Sequence, residues 1–461
     1  MHTDDTICAI ATPPGEGGIG IIRVSGEHAV EIASKVFVGA GGRTVRDFKT
    51  HTLHHGELRS PATGDRLDEV LVAVMKAPCS YTREDVVEFH CHGGPLLLRL
   101  GLEALIRSGA RLAEPGEFTK RAFLNGRLDL AQAEAVMDLI QARSEAGHRV
   151  AVEQLRGVLS EELARMREGL VRLLVEVEAG IDFTEEDITF ISSQGLANGV
   201  CVIKELIEHL IRTADDGRIV REGVTAALVG RPNVGKSSLL NALARADRAI
   251  VTPIPGTTRD VVEEFISVRG IPVRLLDTAG LRDTVDVVEQ EGVRRSHDAL
   301  ARAELVLVVL DGSLPVEADD RRLLETARGK ATVVVVNKAD LPSRFEPSPL
   351  ADLIAGSRLV RTSAATGAGL EDLRDAIQDA VLKERLEARE GVLITHLRHR
   401  TALARAKDSL DQVLVSIERR MPAEFIAVDL RGAVNAIGEI IGETTTDDIL
   451  DRIFKEFCIG K

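Results

Sequence analysis

Gly230-Arg231-Pro232-Asn233-Val234-Gly235-Lys236-Ser237 fits the pattern G-x-x-x-x-G-K-[ST] and follows the apolar run Val224 to Val229. A strand that turns through a glycine-rich loop into a helix directs backbone N–H groups at phosphate oxygens. In that frame Lys236 adds a point charge toward the β- and γ-phosphates, and the Ser237 hydroxyl is placed to ligate Mg2+. The loop predicts a bound nucleoside triphosphate and an α/β sheet to carry it. Its contact residues are Asn233, Val234, Gly235, Lys236, Ser237 and Ser238.

Two further boxes follow in order. Asp277-Thr278-Ala279-Gly280 closes an apolar run, where D-x-x-G puts a carboxylate near Mg2+ and a glycine N–H at the γ-phosphate. Asn337-Lys338-Ala339-Asp340 closes another, and its Asp carboxylate can accept two N–H bonds from the guanine edge, which favours GTP over ATP. Ser363-Ala364-Ala365 then sits where backbone N–H groups would meet guanine O6. Between the first two boxes lies Thr252-Pro253-Ile254-Pro255-Gly256-Thr257-Thr258, which reads as a switch loop with Thr258 as a second Mg2+ ligand. Many GTPases place a water-orienting Gln directly after the D-x-x-G glycine, but here Leu281 stands there and cannot hold water. The transition-state charge then needs another cation. The Asn233 side chain and carbonyls of the 252–258 loop offer an oxygen cage for a monovalent ion, although Asn233 also reads as an ordinary helix-start residue.

The chain has 461 residues, more than one ordinary core, so two to three domains are expected. With 28% charged and 44% hydrophobic residues, its composition suits a soluble protein. Its apolar runs fall short of a membrane span, and Met1-His2-Thr3-Asp4-Asp5 lacks a signal-peptide layout, so no membrane and a cytoplasmic location are expected. Five cysteines do not form a disulfide framework. A net charge of −14, one Tyr and no Trp argue against broad nucleic-acid binding, so any RNA contact must be local or shared with a partner.

Residues 1–118 mix short strands (Thr6 to Ala11, Gly20 to Val24, Val70 to Met75, Val86 to Phe89) with helices at Glu27 to Val36 and Leu96 to Ser108, an α+β domain. From Pro115 to Pro232 there is no intervening proline, and Leu155, Leu159, Leu163, Met166, Leu170, Leu173 and Val177 form the core stripe of one long predicted helix. Residues 119–215 and 383–461 read as two segments of a discontinuous all-α domain. The α/β P-loop GTPase domain, 216–382, is inserted between them, its runs Val224 to Val229, Val273 to Leu276, Leu305 to Leu310 and Thr332 to Val336 predicting a parallel sheet. Cys79, His90, Cys91 and His92, and the group His51, His54 and His55, lack the spacing of a structural zinc site. Arg398-His399-Arg400 and Arg419-Arg420 read as solvated helix faces or as tRNA contacts.

With these residues in place, the chain resembles the bacterial and organellar GTPases that modify the tRNA wobble uridine to 5-carboxymethylaminomethyluridine, the TrmE type. The resemblance rests on Ala11-Thr12-Pro13-Pro14-Gly15, Gly18-Ile19-Gly20, His92-Gly93-Gly94-Pro95, Pro115-Gly116-Glu117-Phe118, Arg121-Ala122-Phe123-Leu124-Asn125, the GTPase boxes and the terminal Cys458-Ile459-Gly460-Lys461. It implies a homodimer whose GTPase is activated by K+ held at Asn233, Thr252, Ile254 and Thr257, with Mg2+ at Ser237 and Thr258 and Glu289 orienting the attacking water through an intermediary. It implies that the N-terminal domain binds a tetrahydrofolate derivative through Arg23, Glu88, Arg127 and Lys461. Arg127 stands where relatives carry Lys, which keeps the charge and changes the donor geometry. The implied reaction adds an aminomethyl or carboxymethylaminomethyl group to uridine C5 with a flavin-containing partner protein. Cys458 reads either as a catalytic thiol of that reaction or as a small hydrophobe. The GTPase boxes alone also fit a ribosome-assembly switch that binds rRNA; the flanking domains, with no basic appendage, favour tRNA modification.

Overall fold

The structure, a computed structural model, describes residues 5–182, 192–246, 264–276, 300–382, 392–444 and 446–461. The chain gathers into two compact units. The first takes in the residues up to Met137, Leu155–Leu163 and Ile437–Lys461, and the second Asp138–Gln154 and Ala164–Ala436.

The first unit is built on a seven-stranded sheet of β1 (Ile7–Ile10), β2 (Gly17–Ser25), β3 (Phe37–Gly39), β4 (Thr52–Arg59), β5 (Arg66–Met75), β6 (Val86–Gly93) and β7 (Arg111–Leu112). The spatial order is β3-β4-β5-β6-β2-β1-β7, antiparallel except for β1 beside β7. Alternation along the strands sends Ile22, Val24, Val72, Val74, Val87 and Phe89 to one face, which the helices Ala29–Val36 and Pro95–Arg107 cover to close a core. The opposite face carries Arg23 and Glu88 side by side, because their positions pair in the β2/β6 register.

In the second unit a six-stranded sheet runs β13-β12-β11-β8-β10-β9, with β8 (Val224–Val229), β9 (Glu264–Val268), β10 (Ile271–Leu276), β11 (Leu305–Asp311), β12 (Ala331–Asn337) and β13 (Arg358–Arg361). Every residue of β11 is buried, Leu305, Leu307 and Val309 packing in one apolar cluster and Val306, Val308 and Leu310 in another. A strand covered on both faces reads as an unbroken apolar run, which is why these strands were legible without alternation. The sheet is not wholly parallel: β9 pairs antiparallel with β10 through the two-residue turn Arg269-Gly270, whose φ values of 51° and 79° match the right-handed strand twist. The helices Ser193–Glu222 and Leu397–Glu418 make up much of the rest. Ser192 caps the former by accepting from the Gly195 N–H at 3.1 Å.

The predicted long helix from Leu155 onward is divided. Leu155 ends the helix Glu145–Leu155, Gly157 takes φ 95°, and a new helix runs Val158–Asp182 with Leu159, Leu163, Met166, Leu170 and Val177 buried. Periodicity survived a break that only the glycine marks. No helix among the described residues is long and apolar enough to cross a membrane.

Candidate nucleotide and cationic sites

Strand β8 lies between β11 and β10, where successive connections leave in opposite directions, and its C-terminal end opens the crevice in which such sheets bind ligands. From there the loop reaches the helix Lys236–Ala246. Asn233 and Gly235 both take left-handed φ, 61° and 93°, the alternation that turns consecutive N–H groups into an anion-binding concavity. A Cβ on Gly235 would stand 2.4 Å from Asn337 Nδ2, so no side chain fits there without moving that amide. Lys236 Nζ donates to the carbonyls of Gly230 (2.7 Å) and Arg231 (2.8 Å), and burial lowers its pKa. Among the described residues its partners are neutral carbonyls, which leaves the ammonium well disposed to a phosphate. Asn233, Ser237 and Ser238 are exposed, while Val234 is buried and anchors the loop. Near the start of the loop, Arg231 Nε donates to Asp320 Oδ1 at 2.9 Å.

Asn337, 2% exposed at the end of β12, ties three segments together. Its Nδ2 donates to the Val234 carbonyl at 2.9 Å, and its Oδ1 accepts from the Ala364 N–H at 3.1 Å and the Thr362 hydroxyl at 3.4 Å. Lys338 has φ 63°, and its Nζ lies 2.6 Å from Asp311 Oδ2. The Ala339 N–H donates to the Thr362 carbonyl at 2.9 Å. Asp340 is exposed, one carboxylate oxygen accepting from Ser363 Oγ at 2.5 Å and the other open to solvent-side donors. Ala365 is exposed beside it. The sequence reading named the phosphate loop and the Asn337 and Ser363 boxes, and the fold brings them together. It missed Thr362, Asp320 and Asp311, the last marked only by a carboxylate ending an otherwise apolar strand.

Thr252, Pro253, Ile254, Pro255, Gly256, Thr257, Thr258, Asp277, Thr278, Ala279, Gly280, Leu281 and Glu289 lie outside the described residues.

A second cluster forms in the first unit. Arg23 Nε donates to Glu88 Oε1 at 2.7 Å, and Arg23 Nη1 to the Gly460 carbonyl at 3.3 Å. The Arg23 guanidinium lies 5.6 Å from the Phe118 ring and 5.9 Å from that of Tyr81. Arg127 lies 5.4 Å from the same Tyr81 ring and donates to the Ser80 carbonyl at 2.5 Å. The tail is held by the Phe118 N–H on the Lys461 main-chain oxygen at 3.2 Å, and Gly460, with φ 95°, packs so closely that a Cβ would meet the Ile10 carbonyl at 2.4 Å. Burial and the neighbouring Arg23 charge lower the Lys461 pKa against the opposing pull of Glu88. Arg23 and Lys461 beside Glu88, with Arg127 at the Tyr81 ring that Arg23 shares, suit an anionic, flat ligand. Cys458 is exposed, whereas burial pushes the thiols of Cys8 and Cys91 up to about 12 and keeps them inert. His92 Nδ1 is 2.7 Å from Asp68 Oδ1, and among the described residues no group of three His, Cys, Asp or Glu is placed to hold a metal ion.

Comparison with known proteins covers both units. A family model described as the GTP-binding protein TrmE N-terminus matches residues 6–127, and one described as the MnmE helical domain matches residues 130–458. The tRNA modification GTPase MnmE of Alkaliphilus oremlandii is 48% identical over 461 residues, all of both chains. The chain belongs to the MnmE family. A second relative in this family, the tRNA modification GTPase MnmE of Geobacillus kaustophilus, is 46% identical over 462 residues, again the full length of both. Among solved structures, Era of Aquifex aeolicus is 27% identical, with 40% of this chain and 66% of that chain covered and a TM-score of 0.26. The strand order, and not that alignment, carries the fold here. As an MnmE-family protein the chain is a GTP hydrolase of tRNA modification, which decides against the rRNA-binding assembly switch.

Proposed function

We propose that GTP hydrolysis in the second unit drives addition of an aminomethyl or carboxymethylaminomethyl group to C5 of the wobble uridine, with the one-carbon unit held on a tetrahydrofolate derivative in the first unit. The single observation that carries this reading is the cluster of Arg23, Arg127 and Lys461 around Glu88 and Tyr81. Its excess positive charge suits the glutamyl carboxylates of a folate, and its rings suit the pterin or benzoyl planes. The folate, when bound, supplies the carbon that forms the new C–C bond.

GTP would lie along Asn233 to Ser238, with its base between Asn337 to Asp340 and Ser363 to Ala365. Ser237, exposed at a helix start, would hold Mg2+ with Thr258. Asn233, whose side chain is exposed, would hold K+ with Thr252, Ile254 and Thr257, Glu289 would orient water through an intermediary, and two nucleotide modules would meet in a homodimer. Cys458, exposed near the tail, would act as a thiol in the uridine chemistry alongside a flavin-containing partner. A cytoplasmic site of action fits a tRNA substrate. Equilibrium dialysis against 5-formyltetrahydrofolate tests the central element. Saturable binding should weaken by roughly tenfold or more in Arg23→Gln, as expected when one charged contact is lost. Equal binding by the two proteins would remove the folate from this site.

A further inference from the structure

The nucleotide site contains a buried carboxylate to which no motif assigns a role. Asp311 ends β11 with its side chain 4% exposed, directly opposite Asn337 in the β11/β12 register. Both of its oxygens are engaged: Oδ1 accepts from the Ser313 N–H at 2.9 Å and the Ser313 hydroxyl at 2.6 Å, and Oδ2 accepts from Lys338 Nζ at 2.6 Å. Burial alone would raise its pKa, but the Lys338 and Ser313 bonds outweigh burial and hold it low, so the Asp311 carboxylate is ionised. Lys338 occupies a left-handed φ of 63°, a conformation that is strained for a non-glycine residue and persists only where surroundings enforce it. The backbone bonds from Gly312 N–H to the Asn337 carbonyl (2.8 Å) and from Leu341 N–H to the Lys338 carbonyl (3.0 Å) fix the turn. The ion pair fixes the side chain that leaves it.

We infer that Asp311 is a positioning residue for the nucleotide base: by clamping Lys338 Nζ it holds the lysine's methylene stem as a rigid wall beside the Asp340 carboxylate, so that a planar base enters a preformed slot. This rests on Asn337 to Asp340 being the guanine site. A four-carbon stem left free would have to be ordered on binding, at a cost in rotamer entropy. The clamp removes that cost beforehand, and the short Asp311-Ser313 turn keeps the carboxylate itself from swinging.

The test is a double-mutant cycle read as the affinity of full-length protein for a fluorescent GDP analogue and as KM and kcat for GTP. Asp311→Asn and Lys338→Met should each weaken binding by roughly tenfold, and the double variant by about the same factor, because each removes one clamp. The loss should fall on KM for GTP and equally on inosine triphosphate, since the stem meets the base plane and not its edge. Ser313→Ala, which leaves the ion pair in place, should weaken binding about two- to threefold and keeps the cycle readable if Asp311→Asn folds poorly. Wild-type affinity in Asp311→Asn, a multiplicative loss of about a hundredfold in the double variant, or wild-type affinity in Ser313→Ala with a folded Asp311→Asn that loses kcat alone would each overturn the proposal. Failure of the underlying guanine reading shows separately: Asp340→Asn would then leave GTP affinity unchanged.

Discussion

At Gly235 the chain has no steric freedom, since a methyl group there would press on the amide that joins the phosphate loop to the Asn337 box. Gly235→Ala is therefore expected to weaken GTP binding by at least roughly tenfold, combining a left-handed φ with the broken Asn337 bridge. Titration with a fluorescent GDP analogue measures this, and an affinity within twofold of wild type would refute the bridge as a support. The glycine was legible from the motif, but the reason for it was not. Nothing local to Gly235 indicates that residue 337 sits against it; that follows from β8 and β12 lying in one sheet with β11 between them. Asp311 escaped reading for the same reason, as its partner Lys338 is distant in sequence and adjacent only through strand register.

Among the elements, the helix Glu117–Leu124 is fastened to the N-terminal segment by ions. Arg121, 4% exposed, donates to Asp5 and Glu117, and Arg111 donates to the same two carboxylates. For Asp5 and Glu117 burial raises the pKa, yet the arginine bonds prevail and both are lowered. Carboxylates with lowered folded-state pKa stabilise above their ordinary value of about 4 and lose that contribution as pH falls through the folded value. Hydrogen exchange in β1 and this helix should thus accelerate below about pH 4 before the rest of the sheet does. Uniform acceleration across the sheet would contradict it. Arg121→Met, which takes one of the two arginines from Asp5 and Glu117 and removes the Arg121 bond to Glu84, should cost about 1–3 kcal/mol locally. The strands and helices themselves were legible as apolar runs and stripes. The Gly157 break was hidden because the spacing of Leu155 and Leu159 is the same with or without it, and β9 because Glu264 and Ser267 interrupt its short apolar stretch.

Taken whole, the proposed function couples the nucleotide module to chemistry performed elsewhere in the chain. Because Leu281 cannot hold water and Asn233 offers an exposed side chain, GTP turnover is expected to be roughly tenfold or more faster in KCl than in NaCl. Equal rates in the two salts would exclude the ion cage. The GTPase boxes declared themselves in sequence because phosphate binding is done by short contiguous backbone. The cationic cluster did not, since Arg23, Tyr81, Glu88, Arg127 and Lys461 converge only after the sheet has paired β2 with β6 and the tail has packed against Ile10. Arg23, Glu88, Arg127 and Lys461 came from resemblance, and Tyr81 and the geometry from the structure. The central claim is that this cluster carries the carbon used on tRNA. It is tested most directly by mass analysis of wobble nucleosides from cells whose sole copy carries Arg23→Gln. The account predicts that the C5-modified uridine falls to the level of cells lacking the protein, and a wild-type level would contradict it.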